Sequence, residues 1–516
     1  MPRLDSLQPQ HVWVLGAVGA LVLLAFGLLS LKSRTKYRYP PGPKGIPVFG
    51  NLFQLPPAYP GAKLIEWGKQ YGDLFSVQLG ARRWVFLNSS KTAQELLERR
   101  GRLYISRPEF PVTQDILSGG KRIVMMGHTE RWRQLRKIMH QLLMASNSET
   151  YKPFQDVESR ALVWQYFKRP DEFYRHGARF ANSVIFSVVF GRRTSMEDEN
   201  VRLLFSTIDD FLETQTSPSS SLVEQFPWLV RAMPRSLQWF RPKAERSYRK
   251  TLGVYTAFFD DLEQRIKKGE NPECFARGMA DLATKYGFDK AQAYFAAGSI
   301  IEAGSDTTRN QINVMLAAAA KYPAWVANAQ KQLDEVCGHA ARLPTFDDWD
   351  RLPYIVAAVK ETLRWRPNMT ASGVPRALIE DDTYRDFVFE KGTIFVYNHF
   401  AISHNEEEYA RNEEFLPERF LNEDLQELLK GHLGFGTAGR RVCPGWHVAT
   451  RNMFIAFSRL LYCFDFQEVP GAPIDDWKID PLAHDHPPFR IRITPRSEDH
   501  VRLIERECAL AGEELE

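Results

Sequence analysis

Cysteine is scarce in this chain of 516 residues: there are five, an odd number, and no two stand at C-x-x-C spacing. Zinc and iron–sulfur centres need several clustered ligands, so neither organises this protein. Scattered thiols with no paired spacing also argue against a disulfide framework and suit a reducing compartment. The chain lacks a dominant charge as well. Sixty-seven Lys and Arg against 63 Asp and Glu leave a net +4. With no basic stripe carrying interleaved aromatics, nucleic acid is excluded as a partner. No repeat, low-complexity tract or second linker interrupts the sequence, and Ser217 to Ser221 reads as a loop. Length alone suggests about three domains, but without boundaries the expectation is one large domain with a substantial core.

What is present begins with a single long hydrophobic run. Val12 to Leu31 carries no charge and has the roughly twenty residues needed to span a bilayer as a helix. Lys32, Arg34, Lys36 and Arg38 follow it, and only Arg3, beside Asp5, precedes it as a cation. The positive-inside rule then places the rest of the chain in the cytoplasm. A cleaved signal peptide is the competing reading; the polar start and the lack of a small-residue cleavage site disfavour it.

The most informative stretch is Gly434-Phe435-Gly436-Thr437-Ala438-Gly439-Arg440-Arg441-Val442-Cys443-Pro444-Gly445, just ahead of a helical run from His447 to Phe464. A thiol near a helix N-terminus and beside arginines is expected to favour thiolate, the metal-binding form. Glycines allow a flat cofactor to come close, and an arginine can pair with its anionic groups. The competing reading of Cys443 is a buried structural cysteine. Together the parts suit haem iron held by one cysteine.

At these residues the chain resembles the cytochromes P450, haem-thiolate monooxygenases whose haem loop reads F-x-x-G-x-R-x-C-x-G. Gly439, Arg441, Cys443 and Gly445 match in register; Phe435 stands eight residues before the cysteine instead of seven, and Gly436 takes its usual place. Further matches occur in family order. Glu361 and Arg364 form the E-x-x-R element, with Arg419 in Pro417-Glu418-Arg419-Phe420 downstream; the resemblance makes them a network supporting the haem loop, against the alternative of a solvated surface pair. Ala303 to Thr308 resembles the oxygen-activation motif, within a helical pattern from about Asp289 to Lys321 that Pro323 stops. There Gly304 and Thr307 are expected to distort the helix locally, and Asp306 and Thr307 to relay protons. The alternative is a capping cluster between two helices. Trp132 and Arg136 match W-x-x-x-R, and Arg376 occupies the place of another propionate-binding residue. The proline-rich hinge Pro40 to Gly45 extends the match, which runs from about residue 36 to residue 495.

The resemblance implies a mainly α fold with small β-sheets and heme b ligated by Cys443. It implies electrons from NADPH through a separate flavoprotein reductase, with cytochrome b5 as a second donor, since no nicotinamide-binding signal is read here. The expected layout is a short lumenal segment (1–11), an anchor (12–31), a basic and proline-rich linker (32–45), the catalytic domain (46–495) and a polar C-terminal tail (496–516) with the option of a terminal helix. In a eukaryotic cell this is a single-pass protein of the endoplasmic reticulum facing the cytosol, most like fungal members of secondary metabolism. Substrate contacts are expected from Phe110 to Met126, from the helix face of Phe295, Gly298, Ile301 and Glu302, and from Asn368 to Val374. Glu302 reads either as a polar substrate handle or as the partner of a surface cation. Phe226 to Lys243 mixes aromatics with arginines, suiting a second membrane contact or a segment lying on the domain with its arginines solvated. Two other functions stay open: an isomerase or dehydratase that does not use oxygen, and a membrane-tethered haem sensor or electron carrier.

Local sequence reads as follows. Leu74 to Leu87 alternates as a hairpin turning at Gly80-Ala81. Helices dominate from Lys91 to Arg366, and short strands return near Phe387 to Val396 and Phe489 to Thr494.

Overall fold

The computed structural model describes residues 36–56, 61–216, 222–368, 373–422, 424–479 and 486–514. The candidate anchor, the loop 217–221 and residues 369–372 of one expected substrate region lie outside these. Among the described residues no helix is long and apolar enough to cross a membrane.

The longer helices, in chain order, are α1 (Gly61–Tyr71), α2 (Glu130–Leu143), α3 (Lys152–Lys168), α4 (Phe173–Phe190), α5 (Glu199–Thr216), α6 (Arg241–Lys267), α7 (Lys290–Lys321), α8 (Pro323–Cys337), α9 (Pro353–Trp365), α10 (Trp446–Cys463) and α11 (Glu498–Glu513). Their ends follow local chemistry. Thr129 caps α2, accepting from the Trp132 N–H at 3.2 Å, and Asp289 caps α7, accepting from the Gln292 N–H at 2.6 Å. Each satisfies a backbone donor that the helix leaves open. Prolines 323 and 353 open α8 and α9, at the one turn where a missing N–H costs nothing.

The strands β1 (Leu74–Leu79), β2 (Arg82–Leu87), β3 (Arg376–Ala377) and β6 (Ile394–Tyr397) form one sheet in the order β1-β2-β6-β3. The expected hairpin is present, with Leu74 opposite Leu87 and Gly80 at φ +56 in its turn. The local pattern gave no sign that β2 pairs with β6 in parallel, a partnership about 300 residues apart. β4 (Asp382–Tyr384) pairs with β5 (Phe387–Phe389), and β7 (Phe464–Glu468) with β8 (Ile491–Pro495).

The long helix α7 runs through the centre, and α4 lies along it. An added Cβ at Gly304 would come within 2.9 Å of Ile185 on α4; one at Gly298 would sit 2.3 Å from the Tyr255 ring of α6. Both glycines therefore exist for close helix approach. Of the readings given for residues 496–516, the terminal helix is the one observed. Residues 498–513 form α11, which packs on α3 and buries His500, Leu503, Ile504 and Cys508. Charged residues on its outer face disguised an amphipathic helix.

Two stability outcomes follow. Leu503→Ala should destabilise the fold by about 2–5 kcal/mol, as buried leucine truncations do, read as a lowered thermal unfolding midpoint. Gly304→Ala should cost about 1–3 kcal/mol by overpacking against α4, and Ile185→Ala in the same chain should recover part of the loss.

Candidate active site

Cys443 stands three residues ahead of the first residue of α10. Its backbone N–H donates to the Phe435 carbonyl at 3.0 Å, closing the loop. Gly436 (φ +80) and Gly439 (φ +99) carry its turns in the region glycine alone enters freely. A Cβ on Gly439 or Gly445 would meet nothing within 4 Å, so the loop leaves open space beside both glycines. The one-residue shift of Phe435 is absorbed at the Gly436 turn. The Phe435 ring stays buried in the main core cluster, against which Cys443 also packs.

Burial pushes the Cys443 thiol above its ordinary pKa, outweighing the Gly445 backbone N–H and Arg136, which favour thiolate. This corrects the expectation of a thiolate formed by the protein alone. Desolvation wins because the nearest arginine in sequence is spent elsewhere: Arg441 donates to the carbonyls of Ile105 at 2.8 Å and Met126 at 3.0 Å. A metal ion deprotonates a coordinating thiol outright.

Four arginines gather around this loop. Arg441 stacks on the Trp132 ring at 3.7 Å. Arg136, one turn after Trp132 on α2, donates to the Val442 carbonyl at 2.5 Å. Arg376 on β3 donates to Leu97 O at 2.6 Å and to Thr437 Oγ1 at 2.8 Å. Arg107, which sequence reading missed because it lies in no recognisable motif, donates to Val374 O and Pro375 O at 2.8 and 2.7 Å. Burial, with mutual repulsion added, pulls Arg441 down to about 8 and Arg107 down to about 9. Burial lowers Arg376 to about 10. Among the described residues no carboxylate pairs with any of the four. Arg376 is buried and the other three are half-buried; cations drawn out of water without counter-charge are costly, so the cluster calls for a ligand that brings anions.

Behind the loop lies a second charged group. Arg364 and Glu361 are wholly buried, joined by two hydrogen bonds of 2.7 and 2.8 Å. Arg364 also donates to the carbonyls of Ser403 and Asn412, both at 2.8 Å. Glu361 Oε1 accepts from Arg419 Nε at 3.1 Å and from the Leu416 N–H at 2.9 Å. The solvated-pair alternative is overturned. An added Cβ at Gly434 would lie 2.8 Å from Leu363, so α9 sits directly against the cysteine loop.

On α7 the motif does not interrupt the helix. Residues 290–321 are continuous, which rules out the capping cluster. The Thr307 hydroxyl donates to the Ala303 carbonyl at 2.7 Å, the back-bond a helical threonine makes. Asp306 pairs with the buried Arg309 at 2.7 Å. Ala303 and Thr307 remain accessible although the turns around them are buried. Of the expected substrate face, Phe295 and Ile301 are fully buried, and Gly298 is covered by Tyr255. Glu302 pairs with Arg122, itself buried and not at the surface.

One thiol, open space beside two loop glycines, an accessible strip of α7 and four uncompensated arginines fit haem: iron for the sulfur, a flat ring for the open space, two carboxylates for the arginines. Gly434, Gly436 and Gly439 also have the G-x-G-x-x-G spacing of a dinucleotide loop, which sequence reading passed over. They follow no strand, and the loop leads to Cys443 before any helix, so the context that spacing needs is absent. Arg107→Leu should lower haem retention, measured as Soret absorbance per protein, while leaving the haem-free protein as stable as wild type or more so. Glu361→Ala should cost about 3–5 kcal/mol by stranding Arg364, seen as loss of folded, haem-loaded protein.

Comparison with known proteins agrees with this geometry. The cytochrome P450 family model matches residues 40–491. Cytochrome P450 monooxygenase fogE of Aspergillus ruber is 32% identical over 502 residues, covering 94% of this chain and 92% of the relative. Cytochrome P450 monooxygenase verL of Clonostachys rogersoniana is 34% identical over 514 residues, covering 96% and 93%. Cytochrome P450 monooxygenase 253 of Postia placenta is 34% identical over 512 residues, covering 94% of each. A cysteine loop, an arginine cluster and a full-length match converge on one conclusion: the chain belongs to the cytochrome P450 family.

Proposed function

We propose that this protein is a monooxygenase that inserts one oxygen atom from O2 into a small, mostly apolar organic molecule, with electrons from NADPH delivered by a separate flavoprotein reductase. The observation that carries this reading is the accessible Ala303–Thr307 strip on an otherwise buried helix, with a proton-bearing hydroxyl and Asp306 on adjoining positions. Haem, when bound, supplies the oxygen and redox chemistry. Cys443 would hold its iron, and Arg107, Arg136, Arg376 and Arg441 would hold its carboxylates. Trp132 backs Arg441 through their stacking. The Thr307 hydroxyl can turn from the Ala303 carbonyl to hand a proton inward, with Asp306 one residue away to resupply it. The intact Asp306–Thr307 pair supports oxygen use over isomerisation, and over a carrier that needs no proton path.

The same proposal places the catalytic domain on the cytosolic face of the endoplasmic reticulum. Beyond the candidate anchor, Trp228, Leu237 and Trp239 point outward from the 226–243 segment, while Phe226, Val230 and Phe240 are buried. Phe226 contacts Phe49, which contacts the exposed Phe53, at ring distances of 6.1 and 5.3 Å. Ile46 and Val48 are exposed as well, and with Arg235 and the Glu109-paired Arg231 in the segment the composition suits the membrane interface. Secondary metabolism is the setting we propose from the fungal relatives.

The reduced protein under carbon monoxide should show a strongly red-shifted Soret band that Cys443→Ala abolishes; a histidine-type band in wild type would refute the assignment. With reductase and a panel of apolar compounds, Thr307→Ala should go on consuming NADPH while product falls by about tenfold or more, the scale on which a positioned proton donor acts. Protein lacking residues 1–35 should still bind liposomes, and Trp228→Ser with Trp239→Ser should release it.

A further inference from the structure

Glu302 and Arg122 form an ion pair whose partners are 7% and 4% exposed. Arg122 comes from the segment just before α2, and its guanidinium also lies 4.0 Å over the Phe211 ring of α5. Buried pairs of this kind hold together only when their remaining donors and acceptors are satisfied. Here they are not. Arg122 Nη2 and Ser299 Oγ, one turn before Glu302 on α7, have no hydrogen-bond partner, and Glu302 Oε1 and Tyr255 Oη on α6 have none beyond their approach to each other. Tyr255 is fully buried, with burial first and Glu302 second in raising its pKa well above the ordinary value. Native proteins leave few such atoms, and each asks for a partner. Four from three elements, gathered beside the accessible Ala303, are a built recognition point.

We propose that Arg122, Glu302, Ser299 and Tyr255 form a polar anchor that positions the substrate by an uncharged group carrying a hydrogen-bond acceptor next to a donor. A cis-amide or a hydroxy-ketone has this pattern. The inference rests on the monooxygenase reading and narrows its substrate class. The charges of the pair cancel, so the anchor does not select an anion or a cation. The free Arg122 N–H donates to a substrate carbonyl. Glu302 Oε1, which Tyr255 Oη approaches, keeps a lone pair to accept from a substrate N–H or O–H. The two hydroxyls serve either side. Glu302 precedes Ala303 and lies five residues, about 7.5 Å along the axis, from Thr307. Glu302 is thus neither the partner of a surface cation nor a lone handle, but half of a two-sided one.

The test uses the haem-loaded full chain and the spin-state shift of its Soret band on titration with four matched probes. These are a phenyl-substituted six-membered lactam, its N-methyl derivative, the corresponding phenylcyclohexane and a phenyl-substituted cyclohexanecarboxylate. The lactam should bind at least tenfold tighter than the N-methyl compound and the carboxylate, the factor for losing one buried hydrogen bond. The double variant Arg122→Met with Glu302→Leu removes both charges together and keeps the volume. It should bind lactam and N-methyl lactam within threefold of each other, and the hydrocarbon no worse than wild type does. Tyr255→Phe, a gentler change, should weaken the lactam about threefold to tenfold and leave the hydrocarbon unaffected. Wild-type protein that fails to bind the lactam, or does not distinguish it from the N-methyl compound, overturns the anchor. So does a double variant that keeps the discrimination. The carbon-monoxide band separates the two failures: its presence with no discrimination refutes only the anchor, and its absence in wild type refutes the haem reading beneath it.

Discussion

Uncompensated positive charge organises this molecule. Arg107, Arg136, Arg376 and Arg441 arrive from four separate parts of the chain, and each spends its hydrogen bonds on protein carbonyls or on Thr437. Those bonds tie the cysteine loop to α2, to β3 and to the strand-like segment at Ile105. They do not neutralise the charge. The fold carries this cost because stability from the large core exceeds it, and a dianionic ligand removes it. The two carboxylates of haem would supply that counter-charge.

The Glu361–Arg364–Arg419 group works in the opposite way. Its one carboxylate is shared by two arginines and every member is hydrogen-bonded, so it adds rigidity without asking for a ligand. Its bonds to Ser403, Asn412 and Leu416 fix an irregular stretch that has little regular structure of its own. Because α9 touches Gly434, that rigidity passes to the loop holding Cys443. One charged group waits for its partner while the other holds the frame in which the partner is received.

Legibility from sequence followed the range of the interactions. The Cys443 loop, E-x-x-R, W-x-x-x-R and the 74–87 hairpin are local patterns, and they could be read residue by residue. Arg107 could not be, because its role comes from a meeting of distant segments and no spacing announces it. The parallel pairing of β2 with β6 was hidden for the same reason. The charge expected to help Cys443 was misplaced because proximity in sequence was taken for proximity in space: Arg441 is two residues from Cys443 but directed elsewhere, and Arg136 of α2 supplies the nearby positive charge. The terminal helix was legible only as an option, because averaging over its length hides two faces that differ. At Glu302 the residue was noticed, while its partner Arg122, 180 residues away, was beyond any sequence pattern.

The two glycine notches of α7 bear on how such a protein diversifies. Gly304 seats Ile185 and Gly298 seats the Tyr255 ring, from helices on different sides. Rotating α7 by even a fraction of a turn would drive a backbone into one of them. The azimuth of the central helix is therefore locked, and with it the direction in which Thr307 and Glu302 project. New substrate shapes must be accommodated by side-chain exchange on this fixed axle, or by the segments that roof it, such as 110–126 and the start of α6. Variation there leaves the proton-bearing face where it is.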